Sequence, residues 1–244
     1  MESIKLSSIK EEIGNFYNSE FGEDLLFVII YGSWAFGMNE NCSDIDVVGV
    51  CSKHNSKQLE NTISFIKTIH KKYNLALDEE VPYDRKVLVT GKFCENAING
   101  KGFIKEDKII IQPVVKNFEF LSSEKMAMRL FLNAITTKNI FCTGNYQVYS
   151  SIRHSALINC VRIFYSTWET NRLSVNDFVK NLISWRNKSG QEYLGFEDDI
   201  RVKSYLNDQF TKTFNFLEKE GYLTKDGGTY SIVNLRWFKE ITQK

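Results

Sequence analysis

Two continuous apolar runs, Leu25–Tyr31 (LLFVIIY) and Ile45–Val50 (IDVVGV, with one acid inside it), constrain the fold of this chain more than any other stretch. A strand with one wet face alternates polar and apolar residues, whereas unbroken β-branched and aromatic text suits a strand covered on both faces. Both runs therefore belong in a sheet that carries helices on each side. The flanking residues supply helices. Ile9, Ile13 and Phe16 follow the i, i+4, i+7 spacing of an amphipathic helix that ends before Gly22, and Leu59, Ile63, Ile66 and Ile69 form the next helical stripe. Leu75–Val81 and Lys86–Thr90 are read as further strands of a mixed sheet.

From about Leu121 the apolar period becomes helical. Met126, Leu130 and Ile135 mark one helix, Ile152, Ala156, Cys160 and Phe164 a second, Val175, Val179, Leu182 and Trp185 a third, and Tyr205, Phe210, Phe214 and Leu217 a fourth. Such stripes pack a bundle core and carry no chemistry by themselves. The end of the chain reads as a helix running into a hairpin turned at Asp226-Gly227-Gly228, which closes the bundle. The expected fold class is α+β, with an N-terminal domain over residues 1–118 and a helical C-terminal domain over 119–244 that ends in the hairpin.

Composition narrows the function. Lys and Arg number 31 against 30 Asp and Glu, a formal net charge of +1, and 43% of the residues are apolar. That balance excludes a disordered chain and argues against a dedicated duplex-binding protein, which carries a basic excess on one face. The five cysteines are scattered without a C-x-x-C pair, and the three histidines lack metal-ligand spacing, so neither a disulfide framework nor a zinc site is expected. No apolar run approaches the roughly 18 residues of a membrane span, and the first residues lack the basic tip of a signal peptide. The expectation is a soluble, cytoplasmic protein with no membrane partner.

The stretch that carries chemistry is Phe27–Val50, FVIIYGSWAFGMNENCSDIDVVGV. A buried strand delivers Gly32-Ser33 into a turn, ten residues follow, and Asp44-Ile45-Asp46 opens the next strand. Gly32 lets the backbone turn sharply and approach a ligand, and the Ser33 hydroxyl with nearby N–H groups is suited to clamp phosphate oxygens. Asp44 and Asp46, one residue apart on a strand, project their carboxylates from one face while Ile45 points to the core. Two adjacent carboxylates repel unless a cation bridges them, and magnesium does so in phosphoryl and nucleotidyl transfer. A third acid on a neighbouring strand completes such a cage, and Asp78 and Glu80 share one face of the Leu75–Val81 run.

With these residues the sequence resembles the polymerase-beta-like nucleotidyltransferase superfamily, whose pattern is an apolar strand, Gly-Ser, a loop of about ten residues and Asp-x-Asp. Gly32-Ser33-Trp34-Ala35-Phe36-Gly37 and Ser43-Asp44-Ile45-Asp46-Val47-Val48 look most like the small bacterial members, including aminoglycoside adenylyltransferases. The resemblance covers about 25 residues strongly and about the first 115 weakly. It implies that Asp44 and Asp46 hold two magnesium ions and that Gly32-Ser33 grips the β- and γ-phosphates of a nucleoside triphosphate. A third carboxylate would share a metal and take the proton of the acceptor hydroxyl. Glu80 is favoured because Glu80-Val81 resembles the acid-plus-apolar pair of the adenylyltransferases, and Asp78 is the alternative. The sequence departs from some members at Phe36, where they carry Arg or Lys, so the triphosphate charge must be met elsewhere; Lys86, Lys92, Lys125, Arg129 and Lys138 are the candidates.

The expected activity is magnesium-dependent transfer of a nucleoside monophosphate, AMP from ATP, to a hydroxyl of a small molecule, with release of pyrophosphate. Near-neutral charge demotes nucleic acid as the acceptor. Transfer to tRNA or protein, and a non-catalytic nucleotide-sensing module, are the alternative readings. Trp168, Trp185, Tyr165 and Phe164 are aromatic candidates for stacking on a base or ring, with core packing as their other role.

Overall fold

The computed structural model describes residues 2–38, 43–76, 86–105, 108–109, 124–165, 172–188 and 199–239. It is an α+β protein built on a mixed four-stranded sheet flanked by helices. Helix α1 (Glu2–Phe21) leads through a short 3-10 turn into strand β1 (Leu25–Tyr31), and a four-residue helix α2 (Ser33–Phe36) follows Gly32. Strand β2 (Asp46–Cys51), helix α3 (Ser56–Tyr73), strand β3 (Leu88–Thr90) and helix α4 (Gly91–Ile98) come next. Helix α3 starts on a capping box, in which Asn55 Oδ1 accepts from the Gln58 amide at 2.9 Å and Gln58 Oε1 accepts from the Asn55 amide at 3.1 Å. A small ribbon of β4 (Ile104–Lys105) and β5 (Lys108–Ile109) precedes helix α5 (Glu124–Thr136). The sequence reads Leu75–Val81 as a strand; residues 77–85 lie outside the described residues.

The sheet order is β3-β2-β1-β6, where β6 is Ile140–Gly144. β1 runs antiparallel to both β2 and β6, and β2 runs parallel to β3. β6 is the strand of this sheet that the sequence reading lacks. It comes from the half expected to be helical, it is short, and its side chains are partly exposed, so it carries no continuous apolar run. Its partner β1 has an open edge to satisfy, and pairing with β6 supplies the backbone hydrogen bonds.

Both faces of β1 are buried, as its composition requires. Phe27, Ile29 and Tyr31 pack in one cluster with α5 and the helices beyond it, while Val28 and Ile30 pack in a second cluster with Ile9, Ile13 and Tyr17 of α1 and Ile66 and Ile69 of α3. Tyr17, not Phe16, is the fully buried aromatic of α1; Phe16 stacks on Phe65 of α3 at 4.0 Å. The C-terminal half adds helices α6 (Tyr146–Tyr165), α7 (Val175–Lys188) and α8 (Ile200–Lys219) at the four expected stripes together with α5. The hairpin β8 (Leu223–Asp226) and β9 (Thr229–Ile232) turns at Gly227-Gly228, and β9 also pairs with a short strand β7 (Arg172–Leu173) before a last helix α9 (Leu235–Lys239). Phe164 and Tyr165 are buried in the helical core, so they pack and do not line a cleft; Trp168 and the Trp185 side chain lie outside the described residues. Among the described residues no helix is long and apolar enough to cross a membrane.

Candidate active site at the Gly-Ser turn

Strand pairing brings the two sequence motifs together. Tyr31, the last residue of β1, lies opposite Asp46, the first residue of β2, so the turn after β1 meets the start of β2. Gly32 takes φ 72° and ψ −152°, a conformation open in practice to glycine alone. A Cβ on Gly32 would stand 2.2 Å from Asp46 Oδ2. Glycine is therefore needed for two reasons, and the group that fills the space beside it is the Asp46 carboxylate.

Asp44 and Asp46 do project to one side while Ile45, 2% exposed, enters the core beside α3. Both carboxylates meet the ammonium of Lys86, whose Nζ is 2.7 Å from Asp46 Oδ1 and 3.1 Å from Asp44 Oδ2. Only 9% of the Lys86 side chain is exposed. Burial alone would push the ammonium toward the neutral form, but Asp46 first, then the surrounding Tyr31 and Asp44, outweigh it and hold Lys86 above the ordinary lysine value. Lys86 is thus fully charged.

Backbone anchors fix this arrangement. The Val87 carbonyl accepts from the Gly49 amide at 3.0 Å and from the Tyr17 hydroxyl at 2.6 Å. Gly49 is required there, because a Cβ would lie 2.2 Å from Cε1 of Tyr17. On the other side, the Ile45 amide donates to Nε2 of the buried His70 at 3.1 Å, and Nδ1 of His70 lies 2.8 Å from the Ile66 carbonyl. Since Nε2 accepts, Nδ1 carries the proton and donates. The Ser33 hydroxyl and the Ser43 hydroxyl are 3.0 Å apart, and the Trp34 indole N–H donates to the Ser43 carbonyl at 3.3 Å. The Gly-Ser turn is thereby tied to the residue that precedes Asp44.

Of the five cations considered for the triphosphate, two stand at this unit. Lys86 bridges the carboxylates, and the Lys138 ammonium lies 5.7 Å from the ring centre of Phe36 on α2. Lys92 pairs with Glu95 at 2.8 Å, Lys125 donates to the Ile104 carbonyl at 2.7 Å, and the buried Arg129 donates to the Gly102 carbonyl at 2.8 Å. These three hold their own local structure. Phe36 also meets Tyr205 of α8 edge to face at 5.7 Å, and the Tyr205 hydroxyl accepts from Arg153 at 2.6 Å. The helical half therefore packs Tyr205 and Arg153 against buried Phe36 behind the turn.

Asp78 and Glu80 lie outside the described residues. Among the described residues no group of three or more His, Cys, Asp or Glu side chains is placed to hold a metal. The pair Asp44 and Asp46 suits a divalent cation in one respect that the geometry displays: both carboxylates already face one cationic centre. The described cysteines take no part. Burial pushes the thiols of Cys51, Cys94 and Cys142 up to about 12, and Cys160 is buried in the helical core. His70, Ser43, Tyr17 and Gly49 are contributors that motif reading misses. Only a buried polar residue on an otherwise apolar helical stripe, His70 beside Ile66 and Ile69, signals any of them in the sequence.

No protein-family model, no curated protein and no solved structure matches the chain.

Proposed function

We propose that this protein is a magnesium-dependent nucleotidyltransferase that moves a nucleoside monophosphate, AMP from ATP, to a hydroxyl of a small molecule. One observation carries the reading: Asp44 and Asp46 converge on a shared cation, the Lys86 ammonium, beside the Gly32-Ser33 turn. Magnesium bound there supplies charge neutralisation for the phosphates and acidifies the attacking hydroxyl. Asp44 and Asp46 hold the cation and thereby orient the triphosphate, Ser33 and the adjoining amides donate to phosphate oxygens, and Lys138 and Lys86 add positive charge. Glu80, or Asp78, takes the proton from the acceptor hydroxyl as its oxygen bonds to the α-phosphorus and the bond to pyrophosphate breaks. Tyr205 and Lys138, which pack around buried Phe36 beside the turn, are the groups nearest to where the acceptor or base would rest.

Incubation of the full chain with ATP, magnesium and a panel of hydroxylated small molecules tests this. Pyrophosphate release is expected, and Asp46→Asn should lower it by roughly a hundredfold or more, as loss of a transition-state stabiliser does elsewhere. Turnover unchanged in Asp46→Asn overturns the assignment. Turnover on tRNA or protein that falls steeply with salt would move the acceptor class to a macromolecule.

A second reading draws support from Lys86. Because its ammonium already bridges the two acids and offsets one of their charges, the same site suits a module that binds nucleotide without chemistry. Calorimetric ATP binding with no pyrophosphate release from any acceptor would favour that module.

A further inference from the structure

We propose that Lys86 is an exchangeable counter-ion: it occupies the cation position between Asp44 and Asp46 when no metal is bound, and it transfers to the phosphates of the nucleotide when a divalent cation takes that position. The inference rests on the metal-dependent reading above and deepens it, by assigning Lys86 a role in coupling metal entry to triphosphate binding.

The charges require some such exchange. Among the described residues two carboxylates and one ammonium sum to a formal −1, and a divalent ion added without displacement would bring like charges within about 4 Å of each other, an arrangement that is strongly repulsive in a partly buried site. Without Lys86, on the other hand, two half-buried carboxylates facing one another would lose the ammonium that bridges them in the metal-free chain. A resident ammonium resolves both states. It holds the acids in their charged form and in position, and once displaced it is a mobile positive charge beside the turn that meets a triphosphate.

The anchoring fits a side chain that moves on a backbone that does not. Val87 is fixed through two hydrogen bonds to its carbonyl, from Gly49 and Tyr17, and the strand β3 that follows pairs with β2 from Gly49↔Leu88 onward. Lys86 sits one residue before that fixed point, so its flexible four-carbon stem is the part free to pivot. Asp46 is confined from behind by Gly32, and the Ile45 amide by His70, so the carboxylates stay in place while their partner changes. Among the described residues, the charged groups that face Lys86 are Asp44 and Asp46, with the phenol of Tyr31 beside them.

The test uses the full chain and Lys86→Met, with Lys86→Gln as a second variant that keeps a polar end. Titration with magnesium chloride alone, followed by calorimetry, should show Lys86→Met binding the ion at least about tenfold more tightly than the wild type, because a competing positive charge is gone. Titration with an ATP analogue bridged by a methylene between the α- and β-phosphates, in saturating magnesium, should show the opposite: about tenfold weaker binding by Lys86→Met, because a phosphate contact is gone. Effects of opposite sign on the two ligands are not what general damage to the site produces. Magnesium binding no tighter in both variants than in the wild type overturns the exchange. If Asp46→Asn at the same time abolishes magnesium binding, the metal-dependent reading stands and the exchange alone falls; if Asp46→Asn leaves magnesium binding untouched, both fall. Should neither Lys86 variant fold without metal, the wild type carries the test. Acetylation of Lys86, followed by mass spectrometry, should be slow in chelator and at least fivefold faster with magnesium alone, while that of exposed Lys92 is unchanged; an unchanged Lys86 rate overturns the proposal.

Discussion

The peptide N–H of Ile45 donates to Nε2 of His70 across 3.1 Å, and this bond ties the residue between the two acids to the middle of the last turns of α3. His70 is 1% exposed, and its other ring nitrogen is engaged by the Ile66 carbonyl at 2.8 Å. The imidazole therefore works as a fixed acceptor. His70→Leu leaves the Ile45 amide buried without a partner, at a cost of about 1–3 kcal/mol. His70→Gln keeps an acceptor within reach of the same amide and should recover most of that loss. Thermal unfolding of the two variants measures the difference, and pyrophosphate release should follow the same order, since the carboxylates on either side move with the amide.

Gly32→Ala places a methyl group where the Asp46 carboxylate stands and forces alanine to φ 72°. The combined overpacking and backbone strain should cost about 3 kcal/mol. For a chain of this size that is a fall in Tm of roughly 6–12 °C. The displaced Asp46 would also lose Lys86, so magnesium affinity should drop together with stability. A Gly32→Ala protein as stable as the wild type would show that the close approach of turn and carboxylate is not a feature of the fold.

Gly49 and Tyr17 are coupled through space. A Cβ at Gly49 would lie 2.2 Å from the Tyr17 ring, whose hydroxyl donates to the Val87 carbonyl at 2.6 Å. Gly49→Ala alone should cost about 2–3 kcal/mol, and Tyr17→Phe about 1 kcal/mol for the lost hydrogen bond. In a Tyr17→Leu background the ring is gone, and the added methyl has room. The Gly49→Ala penalty should then shrink by at least about 1 kcal/mol, a coupling that a double-mutant cycle in urea reads directly.

Glu12 joins α1 to the end of α3 by accepting from Lys72 at 2.7 Å and from the Tyr73 hydroxyl. Those hydrogen bonds, Lys72 before Tyr73, hold the Glu12 carboxyl below its ordinary value, while the bond to Glu12 pushes the Tyr73 phenol up to about 12. A lowered carboxyl stabilises the fold above the unfolded value and loses that contribution as acid protonates it. A raised phenol stabilises below the free-phenol value of 10.0 and loses its contribution as pH rises through about 12. Both groups are near the surface, so Glu12→Gln should cost only about 0.5 kcal/mol at neutral pH. The difference from wild type should vanish in acid. Tyr73 should titrate closer to 10.0 in Glu12→Gln, which the ultraviolet absorbance difference against Tyr73→Phe records.

Much of the fold is legible from the residues because burial period is a local signal. The unbroken text of Leu25–Tyr31 requires cover on both faces, and the two core clusters sort its alternate side chains to opposite sides. The four helical stripes of the second half and the hairpin at Gly227-Gly228 are visible for the same reason. Strand β6 is not, because Ile140–Gly144 is short and half-exposed and acquires its state from pairing with β1, at least 110 positions away in the chain, from Ile30↔Ile140 to Phe27↔Gly144. Pairing partners at that separation leave no periodic trace.

At the site, the amino-acid sequence alone determines that Gly32-Ser33 ends a buried strand and that Asp44 and Asp46 share one face, since both follow from chain geometry over two or three residues. Tertiary structure decides what those groups touch. The parallel pairing of β2 with β3 puts the N-terminal ends of both strands side by side, and this carries Lys86 to Asp44 and Asp46, 42 and 40 positions away in the chain. An antiparallel pairing would send Lys86 to the opposite end of β2. Direction of pairing is set by the connection and by the helices packed over it, not by the composition of the strands, and so the cation between the two acids is a product of the assembled fold.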